Sequence, residues 1–499
     1  MRNLATPLLA LALTLTVAHA QTPGASNKTI RDDRMGTGVH FQQGDNPNWR
    51  DYDLDKIMPL LADSGIAWLR NAIYWGQVEK NRGVYSIPQA SLRWIERANA
   101  AGLKISITFN GGNKLYADHF DPDAYAKAAA WVAKTLQGKI HAMEILNEPY
   151  QKSYAGYYKG TWNGIEKDGS VSSWVGKYVK LINTAAPAIK AANPDIKVTG
   201  LGSVAPVNFR QIAMGIVPEV DGIADHPYSY RLVPELVPWA AQPTILKRDG
   251  IATADEKGTF ASQIRMYREQ SRKYNGPKEI WLTEWGWATH QEAKASDMNA
   301  GFTESAQAKY ILRRYVESIG LGCARSFQYD FRDDGDDPYN AEHNWGLLRR
   351  DYTPKPSWYA VQRLARSLDN ATPDFSKKIE VEFFPVRGRN DVHPFTWDGA
   401  RLATPGSIKS YPFTTRDGAT KIFLWSAERA DGDTKPRLCD IEITPALPEG
   451  FTASFYNIFE DKTETYPVET KKGRSMIKLV SIHDSPICLS IPVSVNPDK

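Results

Sequence analysis

Beginning at Met35, short apolar runs alternate with amphipathic segments eight times along the chain. The apolar runs fall at 36–41, 67–70, 104–109, 140–146, 196–201, 220–225, 278–284 and 324–329. Runs this short, bounded by loops, predict buried strands. The segments between them carry apolar residues at helical spacing, as Ile57, Leu60 and Leu61 do in the first. They predict helices near 53–64, 90–101, 173–192, 208–215, 258–274, 303–319 and 356–368. The helix after the third run opens at Asp121-Pro122, a capping residue followed by proline in the first turn.

Strands alternating with helices predict an α/β fold with a parallel sheet, and eight is the number that closes a (β/α)8 or TIM barrel. An open doubly wound sheet is the alternative. It favours a glycine-rich phosphate loop after the first strand, and Gly36-Thr37-Gly38-Val39 lacks the later glycine and the helix. The barrel is expected over 35–370, longer than the about 250 residues typical of this fold. The excess lies in loops 150–172, 229–257 and 331–355, each after the C-terminal end of a strand. In this fold those loops build the active-site face.

Past Asp369 the helical spacing stops. β-type runs at 379–384, 420–426, 439–444, 451–456, 476–481 and 487–493 are separated by turn residues such as Arg416-Asp417-Gly418. They predict a small antiparallel β-sandwich over 371–499, a support for the barrel. At the other end, Arg2, an apolar run over 8–17 and Ala18-His19-Ala20 form the pattern of a secretory signal peptide, residues 1–20. Residues 21–34 are polar, with Gly, Pro and Ser, and predict a linker. The protein is therefore expected to be secreted or periplasmic. No run approaches the ~20 apolar residues of a membrane anchor.

Composition narrows the class. A length of 499 residues suits a large barrel with a small partner. A formal net charge of +4, with no Lys or Arg runs, argues against nucleic acid as a partner. Fifteen Trp, 23 Tyr and 17 Phe fit either a large core or a ring-lined cleft. Cys323 lies in an apolar run; Cys439 and Cys488 lie in the C-terminal part, and whether they pair is left open. No Cys/His spacing matches a zinc site, and neither metal nor cofactor is expected. The acidic stretch Arg332-Asp333-Asp334-Gly335-Asp336-Asp337 lacks the ligand spacing of a calcium loop and reads as a solvated turn.

The chemistry concentrates at two strand ends. The seventh run ends in Thr283-Glu284-Trp285-Gly286-Trp287, a carboxylate among aromatic rings. The fourth ends in Asn147-Glu148-Pro149-Tyr150. Strand C-termini share one mouth of the barrel, and strands four and seven face each other across it. Two carboxyl groups held about 5–5.5 Å apart suit retaining glycoside hydrolysis, one protonated as acid and one ionised as nucleophile. Proximity of like charge raises one pKa and lets both states coexist. Each glutamate has a plainer reading, as a surface residue or an ion pair.

The Asn-Glu-Pro strand end and the glutamate ending strand seven resemble the clan A retaining (β/α)8-barrel glycoside hydrolases. So do Arg70 at the end of strand two and His226-Pro227-Tyr228 after strand six. The stretches Asp330-Phe331-Arg332-Asp333-Asp334-Gly335, Glu342-His343-Asn344-Trp345-Gly346-Leu347 and Tyr352-Thr353-Pro354-Lys355-Pro356 are most similar to glycoside hydrolase family 39. Within it they resemble the bacterial secreted branch related to exopolysaccharide glycosidases. The resemblance covers about residues 35–365. It implies that Glu148 is the acid/base and Glu284 the nucleophile. It implies that Tyr228 bonds the nucleophile, Asn147 bonds the sugar 2-hydroxyl, and Trp345 or Tyr329 floors the sugar site.

His40, Trp75, Asn110, Trp285, Trp287, His343 and Trp345 are further candidates for sugar contacts, with core packing the alternative for each. Arg70 would lower the nucleophile's pKa; His226 is otherwise a satisfied core histidine. The expected activity is hydrolysis of an oligo- or polysaccharide. A transglycosylase using the same two glutamates and a non-catalytic carbohydrate-binding barrel remain the alternatives. Sugar, linkage and endo or exo action are not legible in the sequence.

Overall fold

The computed structural model describes residues 29–41, 52–292, 298–376, 379–387, 394–397, 400–403, 407–430 and 435–493. The expected leader, 1–20, lies outside the described residues. Eight strands form a closed barrel: β1 Asp32–Gly38, β2 Ile66–Tyr74, β3 Lys104–Asn110, β4 Ala142–Ile145, β5 Lys197–Ser203, β6 Gly222–Asp225, β7 Glu279–Trp285 and β8 Arg325–Gln328. Each pairs in parallel with the next, and β8 returns to β1.

The long helices lie where the 3.6-residue spacing puts them, at Leu54–Asp63, Gln89–Ala100, Pro122–Thr135, Ser173–Ala192, Ala205–Met214, Phe260–Asn275, Glu304–Gly320 and Pro356–Leu368. Their starts follow from local chemistry. Asp53, Asp121, Thr259 and Thr303 each accept a backbone N–H of the first turn. One boundary moves: β1 begins at Asp32, inside the stretch read as linker. That stretch looked polar because it carries ion pairs. Asp33 accepts both Lys104 and Arg325, and Asp32 accepts Arg34.

Residues two apart on a strand face the same side, and this builds the barrel interior in layers. Trp68, Ala142, Trp281 and Phe327 close the bottom as an apolar plug. Trp281 stacks on Phe327 at 6.2 Å and meets Trp68 edge-on at 5.6 Å. A Cβ at Gly36 would come within 2.4 Å of the Phe327 ring, so the plug requires glycine there. Two residues further along the same strands stand Arg70, Glu144 and Thr283, a polar layer just under the mouth.

The C-terminal part is a nine-stranded antiparallel sheet, running in space from Glu380–Arg387 through Arg437–Thr444, Arg474–Ile482, Lys462–Lys471, Thr452–Asn457, Ile487–Ile491, Thr420–Ser426 and Ile408–Thr414 to Thr372–Pro373. It curls around its own core of Ile422, Leu424, Ile441, Ile443, Phe455 and Ile477. Ile408–Thr414 and Lys462–Lys471 were not legible as strands. The first holds Pro412, and the second is largely exposed, so no apolar alternation marks it. Cys439 and Cys488 are free, buried thiols; they belong to different apolar clusters and do not pair.

The two parts are joined through buried charge. Arg313, on the helix Glu304–Gly320, pairs with Glu235, and both side chains are fully buried. Trp425 of the sheet donates to the same carboxylate at 2.7 Å, and Tyr411 donates to Glu317 at 3.0 Å. A chain ending at residue 370 would strip these rings from the helix and open a buried ion pair to water. Such a truncation is expected to yield aggregated barrel on gel filtration, where the full chain runs as a single species.

Candidate active site

The barrel mouth opens into a cavity of about 460 Å³. Its floor is the polar layer. Arg70 reaches three partners at once: Nε donates to Glu144 at 2.6 Å, Nη1 to Glu284 at 2.6 Å and Nη2 to Asn147 Oδ1 at 2.7 Å. Thr283 Oγ1 donates to Glu144 at 3.0 Å, and His226 Nε2 lies 3.0 Å from the same Thr283 oxygen. The other imidazole nitrogen, Nδ1, lies 3.0 Å from Glu148 and 3.6 Å from Glu284.

These contacts set the charges. Burial pulls the His226 pKa down, but the Glu284 charge, the Glu144 carboxylate 3.9 Å away and the contact with Glu148 push it up to about 10. Raised this far, the imidazole favours its protonated form at neutral pH. Burial raises the Glu284 carboxyl, yet His226 and Arg70 together outweigh it and hold the group below its ordinary value. Glu144 is buried as well, and Arg70 with His226 brings it down to about 2. Tyr228 OH adds a hydrogen bond to Glu284 at 3.2 Å.

Glu148 is held differently. The strand end Leu146-Asn147-Glu148 passes through φ of 59° at Leu146 and 43° at Glu148. Non-glycine residues rarely adopt the left-handed region, and it persists where the surroundings hold it. The turn aims the Glu148 carboxylate back over the mouth. Tyr150 OH lies 3.3 Å from it, and Gln151 donates to its other oxygen. Asn110 Oδ1 accepts the Asn147 N–H at 3.1 Å and fixes the turn to β3. At the other wall, a Cβ on Gly286 would lie 2.2 Å from the Tyr329 carbonyl oxygen, so the chain turns away from Glu284 only with glycine there.

Of the candidates, Glu148, Glu284, Asn147, Arg70, Tyr228, His40, Asn110, Tyr329 and Trp345 line one cavity. His226 lies beneath it and braces the carboxylates. Three tryptophans do not reach it. Trp75 is fully buried against Tyr125 and donates to Glu79; Trp285 packs edge-on to Tyr315; Trp287 packs on Tyr310. Strict alternation from Trp281 and Thr283 would point Trp285 inward; the register shift between Leu282 and Trp285 breaks it, so Trp285 packs in the helix layer and Glu284 faces the mouth. His343 sits in the short turn Ala341–His343, accepts the Asp337 N–H, and stands outside the cavity lining.

The acidic turn also differs from its reading as a solvated segment. Asp333 and Asp334 are buried. Asp333 accepts Lys355 and the Gly346 N–H, both at 2.8 Å. Asp334 takes Tyr52 at 2.8 Å and lies 2.6 Å from His40 Nδ1. Asp334, with Asp330 3.7 Å from the same nitrogen, fixes the His40 ring at the cavity wall.

Sequence reasoning missed Glu144, Asn71, Tyr74, Tyr150, Gln151, Tyr230 and Glu342, all at or under the cavity. Glu144 carried a signal: a carboxylate inside the apolar run Ala142–Ile145 must be paired when buried, and Arg70 sits in an equivalent run.

No protein-family model and no curated protein sequence matches the chain. Solved structures do. A family 39 glycoside hydrolase from Bacteroides cellulosilyticus is 22% identical with a TM-score of 0.64, the match covering 93% of this chain and 82% of that one. A glucosidase from Croceicoccus marinus is 13% identical at TM-score 0.52, covering 94% and 98%. A family 5 glycoside hydrolase from Bacteroides vulgatus is 13% identical at TM-score 0.53, covering 93% and 89%. At these identities the likeness is one of fold.

Proposed function

We propose that the protein is an exported retaining glycoside hydrolase acting on an oligo- or polysaccharide. One observation carries this reading: carboxylate oxygens of Glu148 and Glu284 lie within 4.8 Å of each other, each at the end of a barrel strand. That spacing suits a nucleophile and an acid/base on one sugar carbon. It favours that arrangement over the wider one, roughly 6.5–9.5 Å, that admits a water between the carboxyl groups.

Glu284, kept ionised by Arg70 and His226, attacks the anomeric carbon as Glu148 gives its proton to the glycosidic oxygen. The C–O bond to the leaving sugar breaks, and a glycosyl ester forms on Glu284. Water then enters, Glu148 takes its proton, and the ester is cleaved with the original configuration restored. Tyr228 holds the nucleophile's second oxygen, and Asn147, oriented by Arg70, is placed to bond a sugar hydroxyl. Proton NMR of the first product formed from an aryl glycoside is expected to show the substrate's anomeric configuration. The opposite anomer would overturn the double displacement.

A further inference from the structure

On the face of the barrel where the strands end, the loop that follows β4 carries the one exposed tryptophan among the described residues, Trp162, with 43% of its surface bare. The ring is held in place. The Arg248 guanidinium lies 5.5 Å from its centroid and 5.3 Å from that of Trp239, and the two indoles are 6.2 Å apart. Arg248 is itself fixed by a fork to Asp249, with Nε to Oδ1 at 2.8 Å and Nη2 to Oδ2 at 2.6 Å. Asn163 donates to the Arg248 carbonyl at 3.0 Å and ties the loop after β4 to the loop after β6. An indole held this firmly and left open costs little ordering when a ligand stacks on it.

The platform joins two loops that both reach the cavity: Tyr150 and Gln151 of the loop after β4 line it, and so does Tyr230 of the loop after β6. Tyr230 in turn stacks on Tyr228, the partner of Glu284, at 6.1 Å. The loop also suggests the side: the departing oxygen takes its proton from Glu148, and the loop that begins at Glu148 is the one that carries Trp162.

We infer that Trp162, backed by Arg248, is a stacking subsite for a sugar ring on the leaving-group side, beyond the one that receives the proton. The inference rests on the glycosidase reading and deepens it: the enzyme is built for a substrate several sugars long. The alternative is that Trp162 only shields Arg248, in which case its loss affects stability and every substrate alike.

The test compares wild type and Trp162→Ala on xylotetraose, cellotetraose and mannotetraose and on the matching 4-nitrophenyl β-glycosides. On a tetrasaccharide that wild type cleaves, the variant is expected to lose about tenfold in kcat/KM, mainly through KM. The aryl glycoside, which has no sugar there, is expected to stay within about twofold. Trp162→Tyr should recover most of the loss. Equal loss on both substrate types, or none on the tetrasaccharide, overturns the subsite. If wild type cleaves nothing, the catalytic reading falls separately. Calorimetric binding of the same tetrasaccharides then decides, and equal affinity for the two proteins overturns the subsite.

Discussion

Glu284→Ala is expected to lower turnover of an aryl glycoside by at least about a thousandfold, because no other group can form the ester. Three contacts around this carboxylate favour its ionised form: Arg70 at 2.6 Å, His226 at 3.6 Å and Tyr228 at 3.2 Å. Alanine leaves a hole of carboxylate size flanked by two cations. Azide added to the variant should enter that hole, attack the anomeric carbon directly and restore turnover. It attacks in one step from the nucleophile's side, so the glycosyl azide formed should have inverted configuration. Glu148→Ala should behave in the opposite sense. Its glycosyl ester still forms from a good leaving group, azide then attacks that ester, and the azide product keeps the substrate's configuration. NMR of the two products assigns the roles. If both variants gave the same anomer, or if Glu284→Ala kept more than about a tenth of wild-type activity without azide, the assignment would fail.

Much of this site could be read from the chain because it is periodic. The eightfold alternation placed Glu148 and Glu284 at strand ends on one rim, and rim geometry alone brought them together. The bracing was harder to read. Arg70 was visible, but its fork to Glu144, Glu284 and Asn147 depends on barrel closure joining β2, β4 and β7. The tryptophans around Glu284 misled for a local reason. An aromatic beside Glu284 faces the helix layer or the mouth by a single step of alternation, and the bulge between Leu282 and Trp285 shifts that step. Asp333 and Asp334 looked solvated because their partners, Lys355, Tyr52 and His40, come from distant segments. Trp162 carries no signal of its own, since its setting needs Arg248 from another loop.

Arg70→Met is expected to cost about 3–5 kcal/mol of folding stability at neutral pH, by stranding Glu144 and Glu284 without their shared cation. The pH dependence identifies the cause. In wild type, Glu144 has a folded pKa of about 2 against an ordinary 4.5. A depressed folded value gives stability that is present above the unfolded pKa and lost as pH falls through the folded one. Glu144 therefore contributes about 3 kcal/mol at neutral pH, disappearing between about pH 4.5 and 2. In the variant the largest lowering influence is gone while burial and His226 remain, so the carboxyl's folded pKa is expected to rise, with burial carrying it toward or above the unfolded value. Its contribution at neutral pH then falls away or reverses, and the loss eases as the medium becomes acidic. Urea denaturation at about pH 7 and about pH 4.5 should show a smaller deficit of Arg70→Met at the lower pH. Adding Glu144→Gln to the variant should remove much of the neutral-pH deficit, because the buried charge is gone. A deficit equal at both pH values, and unchanged in the double variant, would mean that Arg70 supports the barrel by packing alone. The charge network proposed to keep Glu284 ionised would then be without support.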